Sequence, residues 1–106
     1  MLTKFDQQQF LLMKQSINTY ENSHHSQDTL LVLTQSLEKL LDSIKNLDPT
    51  WKETFRTEWW ELELTVSLMI DEDEENLSQE DEEAVTTALT NMKAMIDKML
   101  STSPSD

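Results

Sequence analysis

The sequence predicts an all-α fold: a single domain, residues 1–100, built as a bundle of about four helices with short connections. Apolar residues recur at spacings of three and four in four separate segments, the repeat that lines one face of a helix. The chain also holds 16 leucines and six methionines against seven valines and isoleucines together, a bias that favours helices over strands. Leu, Ile, Val and Phe number 26 of 106 residues, above the level of disordered chains. Short connections between such helices make antiparallel neighbours, hence an up-and-down bundle.

The first helix is expected from Lys4 to about Glu21, with Phe10, Met13, Ile17 and Tyr20 on one face. Thr3 is its N-cap, with Asp6 three residues on. Asn22 to Ser26 breaks the pattern, and in a chain without glycine Asn22 is the natural residue for a left-handed position there. The second helix carries Leu30, Leu33, Leu37, Leu40, Ile44 and Leu47, widened by Leu41. Ser26 or Asp28 caps its start, and Lys45 near its end suits the negative pole of the helix dipole.

Asp48-Pro49 closes the second helix and opens the third, as an N-cap followed by a favoured first-turn residue. The connection there is expected to be very short. The third helix runs to about Ile70, with Trp51, Phe55, Trp59, Leu62, Val66 and Met69 as its main stripe and Trp60, Leu64 and Leu68 as a second. It holds all three tryptophans and is expected at the centre of the bundle. Leu62, Leu64, Val66, Leu68 and Ile70 also alternate as a strand would, but the flanking helical repeat and the lack of turn residues favour helix. Ser78 is expected to cap the fourth helix, which carries Val85, Ala88, Leu89, Met92, Met95, Ile96, Met99 and Leu100. Ser101 to Asp106 reads as a disordered tail.

Composition removes several classes of function. Without cysteine there is no disulfide framework, thiolate nucleophile or sulfur-ligated zinc. Without glycine there is no phosphate-cradling loop, dinucleotide fingerprint or nucleophile elbow. Arg56 is the single arginine, which argues against a site clamping several phosphates. No nucleophile–base pair, metal cluster or cofactor motif is visible, so no catalysis, metal or cofactor is expected. No apolar run approaches the roughly 18 residues of a membrane span, and the N-terminal residues lack the pattern of a secretion signal. A cytoplasmic protein without membrane contact is the expectation.

The charge is lopsided. Eight basic and 21 acidic side chains give a net charge of −13. Residues 1–47 carry five acids and four lysines, a net of −1, which leaves −12 for residues 48–106. Repulsion from the phosphate backbone opposes direct nucleic-acid binding, and a basic partner is favoured instead. The acids concentrate in Asp71 to Glu83, nine in thirteen residues. Glu80, Asp81, Glu82 and Glu83 suit the positive pole of the fourth helix. Asp71, Glu72, Asp73, Glu74 and Glu75 stand at the end of the third, where the dipole disfavours them, so recognition of a basic surface is the more attractive explanation for that half. Trp60 lies about 100° round the helix from Trp59. Beside Glu58 and Glu61 it offers an aromatic anchor within an acidic surface, although core packing is the commoner role for tryptophan.

Asp71, Asp73, Glu75 and Glu82 also fall at positions one, three, five and twelve of an EF-hand loop. Asn76 replaces the glycine such a loop uses, and Ser78 stands where an apolar residue belongs. The pair His24-His25 reads as an exposed polar loop. Glu63 is expected to pair with Arg56 or with a lysine of another helix.

The pattern Leu37-Glu38-Lys39-Leu40, then Trp51-x3-Phe55-x3-Trp59-x2-Leu62-Glu63, an acidic stretch and a final amphipathic helix, resembles small bacterial immunity proteins over about residues 28 to 100. These include the immunity proteins of contact-dependent growth inhibition systems. The resemblance implies that the chain binds a cognate toxin in the cytoplasm and blocks it, many such toxins being nucleases. The contacts implied by the charge are Asp71 to Glu75 and Glu80 to Glu83, with Glu58, Trp60 and Glu61. The alternative is an acidic adaptor or nucleic-acid mimic that binds a basic protein without any cognate toxin.

Overall fold

The computed structural model describes residues 3–45 and 47–102. They form four helices: α1 (Lys4–Glu21), α2 (Gln27–Ser43), α3 (Pro49–Asp71) and α4 (Gln79–Thr102). Each helix packs against its neighbour in the chain, and α1 packs against α4, which closes a ring of four. The expected all-α bundle is thus observed. The expected central position of α3 is not, because α3 occupies one corner of the ring like the other three helices. The body measures 48 × 25 × 20 Å, a rod with the helices along its length.

Local chemistry sets most boundaries. The Thr3 side chain accepts the Asp6 N–H at 3.0 Å, and the Asp6 carboxylate accepts the Thr3 N–H, so a capping box forms. Ser26 and Thr29 make the reciprocal arrangement at the start of α2, which selects Ser26 over Asp28 as the cap. Asn22 does not take a left-handed conformation; its φ is −94°. The last carbonyls of α1 accept the backbone N–H groups of Asn22 and Ser23, and side chains add to these bonds. Asn22 Nδ2 donates to Asn18 O, and Ser23 Oγ donates to Tyr20 O at 2.7 Å.

The end of α2 departs from expectation. The helix stops at Ser43, whose hydroxyl donates to the Leu40 carbonyl and accepts from Gln9 Nε2 of α1. Ile44 then runs extended and buried, Leu47 packs on the core from outside the helix, and Lys45 lies beyond the last turn. The connection to α3 is therefore longer than expected. Pro49 opens α3, while the Asp48 side chain makes no capping hydrogen bond. At the other terminus α4 continues through Ser101 and Thr102, so these two residues are helical and not part of the expected disordered tail; residues 103–106 lie outside the described residues.

One continuous core joins all four helices: Phe10, Met13 and Ile17 of α1, Leu30, Leu37 and Leu41 of α2, Phe55, Leu62 and Met69 of α3, and Leu89, Met92 and Ile96 of α4. The main stripe of α3 faces inward and Trp51 is half-buried, stacked on Phe55 at 5.0 Å and edge-on to Phe10 at 5.4 Å. The second stripe faces outward: Trp60, Leu64 and Leu68 are 60%, 55% and 49% exposed. Trp59 is buried and donates its indole N–H to the Thr34 carbonyl of α2 at 2.9 Å, tying α3 to α2 inside the core. Trp59→Phe is expected to cost about 1–3 kcal/mol, from the lost hydrogen bond and the space left behind. Trp60→Phe, at an exposed position, should stay within about 0.5 kcal/mol. Urea unfolding of the two variants tests this contrast.

Candidate functional site

The acidic segment is an ordered turn. At the end of α3 the Asp73 N–H donates to Ile70 O at 3.2 Å and the Glu74 N–H to Met69 O at 2.8 Å. This is the paired bonding of a Schellman motif, which requires a left-handed residue at its centre. Asp73 supplies it with a φ of 55°, the one positive φ among the described residues. In this glycine-free chain, aspartate is one of the few residue types that tolerate the position.

The turn is fastened to the start of α2. Gln27 donates its backbone N–H to Glu75 O at 2.8 Å and its side-chain amide to Glu74 O at 3.1 Å. Ser26 and Asn76 form an isolated antiparallel bridge, and His24 Nε2 lies 2.9 Å from Asn76 Oδ1. Ser78 Oγ then accepts the Asp81 N–H and Ser78 O the Glu82 N–H, which starts α4. Two connections of the chain thus close one end of the bundle together.

His25 is not an exposed loop residue. Its ring stacks on Tyr20 at 4.5 Å, its Nδ1 lies 2.9 Å from Glu82 Oε2, and its Nε2 reaches the Glu21 carbonyl at 3.3 Å. The hydrogen bond to Glu82 raises the His25 pKa against a smaller opposing effect of burial. Burial also pushes the Tyr20 phenol up, and the Glu82 charge adds to it. Fifty-seven residues separate His25 from Glu82, so no local spacing reveals the pair.

The predicted contact residues divide into five groups. Glu58 and Glu61 of α3 and Glu80 and Glu83 of α4 line one groove of about 450 Å³, whose floor is made by small residues such as Ala84, Thr87 and Ala88. No basic residue lines it. Asp73 and Glu75 line a second hollow of about 390 Å³, shared with His24, Gln27 and Asp28. Asp71 and Glu72 are exposed nearby, while Glu74 is half-buried and Asp81 likewise. The Glu74 carboxyl is held above its usual range by its hydrogen bond to Glu72 and by the Glu72 charge. Glu82 is engaged by His25. Trp60 lies on the outward face of α3, away from the groove, with only its edge against Trp59.

The paired cations hold other seams. Lys14 bonds Asp97 at 2.7 Å and Lys93 bonds Glu21 at 2.9 Å, both between α1 and α4. Arg56 pairs with Asp42 of α2 at 2.9 Å, not with Glu63. The calcium-loop spacing gives no cation site. Asp71 is still helical, the chain reverses through the Schellman turn, and Glu82 faces His25. Among the described residues no three His, Cys, Asp or Glu side chains gather as metal ligands, and no helix is long and apolar enough to cross a membrane.

No protein-family model matches the chain, and neither a curated protein nor a solved structure is similar to it.

Two expected outcomes follow from this end of the bundle. Asp73→Gly should stabilise the fold by about 0.5–1 kcal/mol, because glycine takes a positive φ without steric cost. Asp73→Ala should not, and urea midpoints separate them. His25 has a raised folded-state pKa, so the stability it adds is full below its unfolded value of 6.5 and fades as pH rises through the folded value. His25→Phe keeps the stack on Tyr20 and loses the pair with Glu82. The advantage of the parent protein over His25→Phe should therefore be larger at about pH 5.5 than at about pH 8.5, measured as the difference in urea midpoint.

Proposed function

We propose that this chain is an immunity protein: a stoichiometric inhibitor that binds a cognate bacterial toxin in the cytoplasm, without catalysis of its own. The observation that carries the reading is the α3–α4 groove, where four carboxylates from two helices converge with no basic residue in the lining. A nuclease holds a polyanion and so presents a basic cleft. An acidic helical surface competes with nucleic acid for such a cleft, associates fast through long-range attraction and excludes the substrate. The ordered acidic turn at the end of α3 extends the same surface. Fixed backbone there lowers the conformational cost of binding. The resemblance of the α2–α3 pattern to immunity proteins points the same way.

The test is protection. A toxin-like domain encoded beside this chain is expressed with and without it, and surviving cells are counted. Rescue is expected from this chain and not from an unrelated acidic helical protein. Glu58→Lys with Glu61→Lys should weaken toxin binding at least about tenfold and flatten its salt dependence. Failure to rescue with both proteins folded and present overturns the toxin reading. Salt-sensitive binding to basic proteins in general would then favour an acidic adaptor or nucleic-acid mimic.

A further inference from the structure

The outward stripe of α3 lies outside the core. Trp60, Leu64 and Leu68 are spaced by four residues and all face solvent, forming a ridge about 12 Å long at 1.5 Å per residue. Glu53 and Thr57 continue the same face towards the start of the helix and Asp71 towards its end, all three exposed. Glu61 flanks the ridge on the side of α4. The ridge is thus an apolar line with a carboxylate at its Asp71 end and along the α4 side, while Arg56, one turn before Trp60, is paired with Asp42 of α2. A patch of this composition marks a contact surface more than a solvated face.

The charge selects the occupant. Two copies of a chain with a net charge of −13 repel each other, which opposes covering this face with a second copy. A basic partner reverses that sign. The shape narrows it further: side chains at successive fourth positions are one of the ridges that interlock when two helices pack. We infer that the α3 ridge docks an amphipathic helix of the partner, one whose apolar stripe is flanked by lysine or arginine. The inference rests on the proposed reading of a basic partner and adds the element that the partner presents. Trp60 is the anchor, since this large aromatic at one end of the ridge is 60% exposed and has the most apolar surface to lose on binding. The α3–α4 groove takes the basic side chains that reach past Glu61.

The probe is a synthetic peptide of about 18 leucines and lysines, arranged with an apolar stripe at helical spacing, long enough to form a helix on binding. A scrambled peptide of identical composition is the comparison. Binding is followed by the indole N–H signals of the protein, with Trp60→Phe identifying that of Trp60. The patterned peptide should bind at least about tenfold tighter than the scrambled one, a difference of about 1.4 kcal/mol, and should shift the Trp60 signal. Leu64→Ser with Leu68→Ser should abolish that preference while leaving the buried Trp59 signal in place, which shows that the fold persists. Equal binding of the two peptides, or a preference that survives the paired serine substitutions, overturns the inference while leaving a basic partner standing. No binding of either peptide at low salt overturns both. Concentration-dependent dimers in sedimentation that vanish in the serine variant also overturn it, because the ridge would then be covered by a second copy.

Discussion

Gln27 gives its backbone N–H to the Glu75 carbonyl and its side-chain amide to the Glu74 carbonyl. These two bonds hold the main chain of a turn whose side chains repel one another, since five carboxylates occupy Asp71 to Glu75. Repulsion acts on the side chains, four of which are exposed while the half-buried Glu74 carboxyl meets that of Glu72 through a hydrogen bond. The hydrogen bonds act on the backbone, so both demands are met at once. The direction of the acidic surface depends on this fastening, as does the entry of α4, because Asn76 and Ser78 follow immediately. The Ser26–Asn76 bridge and the His25–Glu82 pair lock the same joint from either side.

Charge is distributed by seam. The α1–α4 and α2–α3 seams are crossed by opposite-charge pairs. Such pairs add little to stability where they are exposed. Their larger effect is to hold three cations, Lys14, Arg56 and Lys93, at seams other than α3–α4. The α3–α4 seam brings carboxylates from both helices to one groove without a cation in the lining, and it is held by apolar packing beneath, through Leu62, Val66, Val85 and Ala88. That seam therefore keeps its negative potential for an outside partner. Unpaired charge of one sign opposes compactness but steers association.

Local signals were legible in the sequence and distant ones were not. The bounds of α1 follow from Thr3, Asp6 and the stripe ending at Tyr20, because capping is a matter of three residues. The end of α2 was misjudged for a physical reason: Ile44 and Leu47 keep helical spacing although the chain there has left the helix. An extended segment that lies along the edge of a core buries residues in a pattern that periodicity does not separate from a last turn. Elimination placed the left-handed residue at Asn22, yet Asp73 takes it, because backbone N–H groups aided by side chains can finish one helix as well as a reversed backbone finishes another. The acids of the candidate surface were all visible, but which of them meet depends on how α3 and α4 are aligned. Glu82 faces His25 and not the groove for that reason, and Trp60 stands on a different face from the carboxylates it was grouped with.

The contacts between α1 and α4 fix the sense of the bundle. Lys14 meets Asp97 and Glu21 meets Lys93, so residue numbers rise along one helix as they fall along the other. The first turn of α1 and the last turn of α4 therefore lie together, at the end of the rod remote from the acidic turn. A label, a surface tether or a fused protein attached beyond either helix would project away from Asp71 to Glu83. The body of the rod, 48 Å at its longest, then acts as a built-in spacer. Immobilised through its first or last helix, the protein would present its charged end to the solution, with the α3 ridge along its flank.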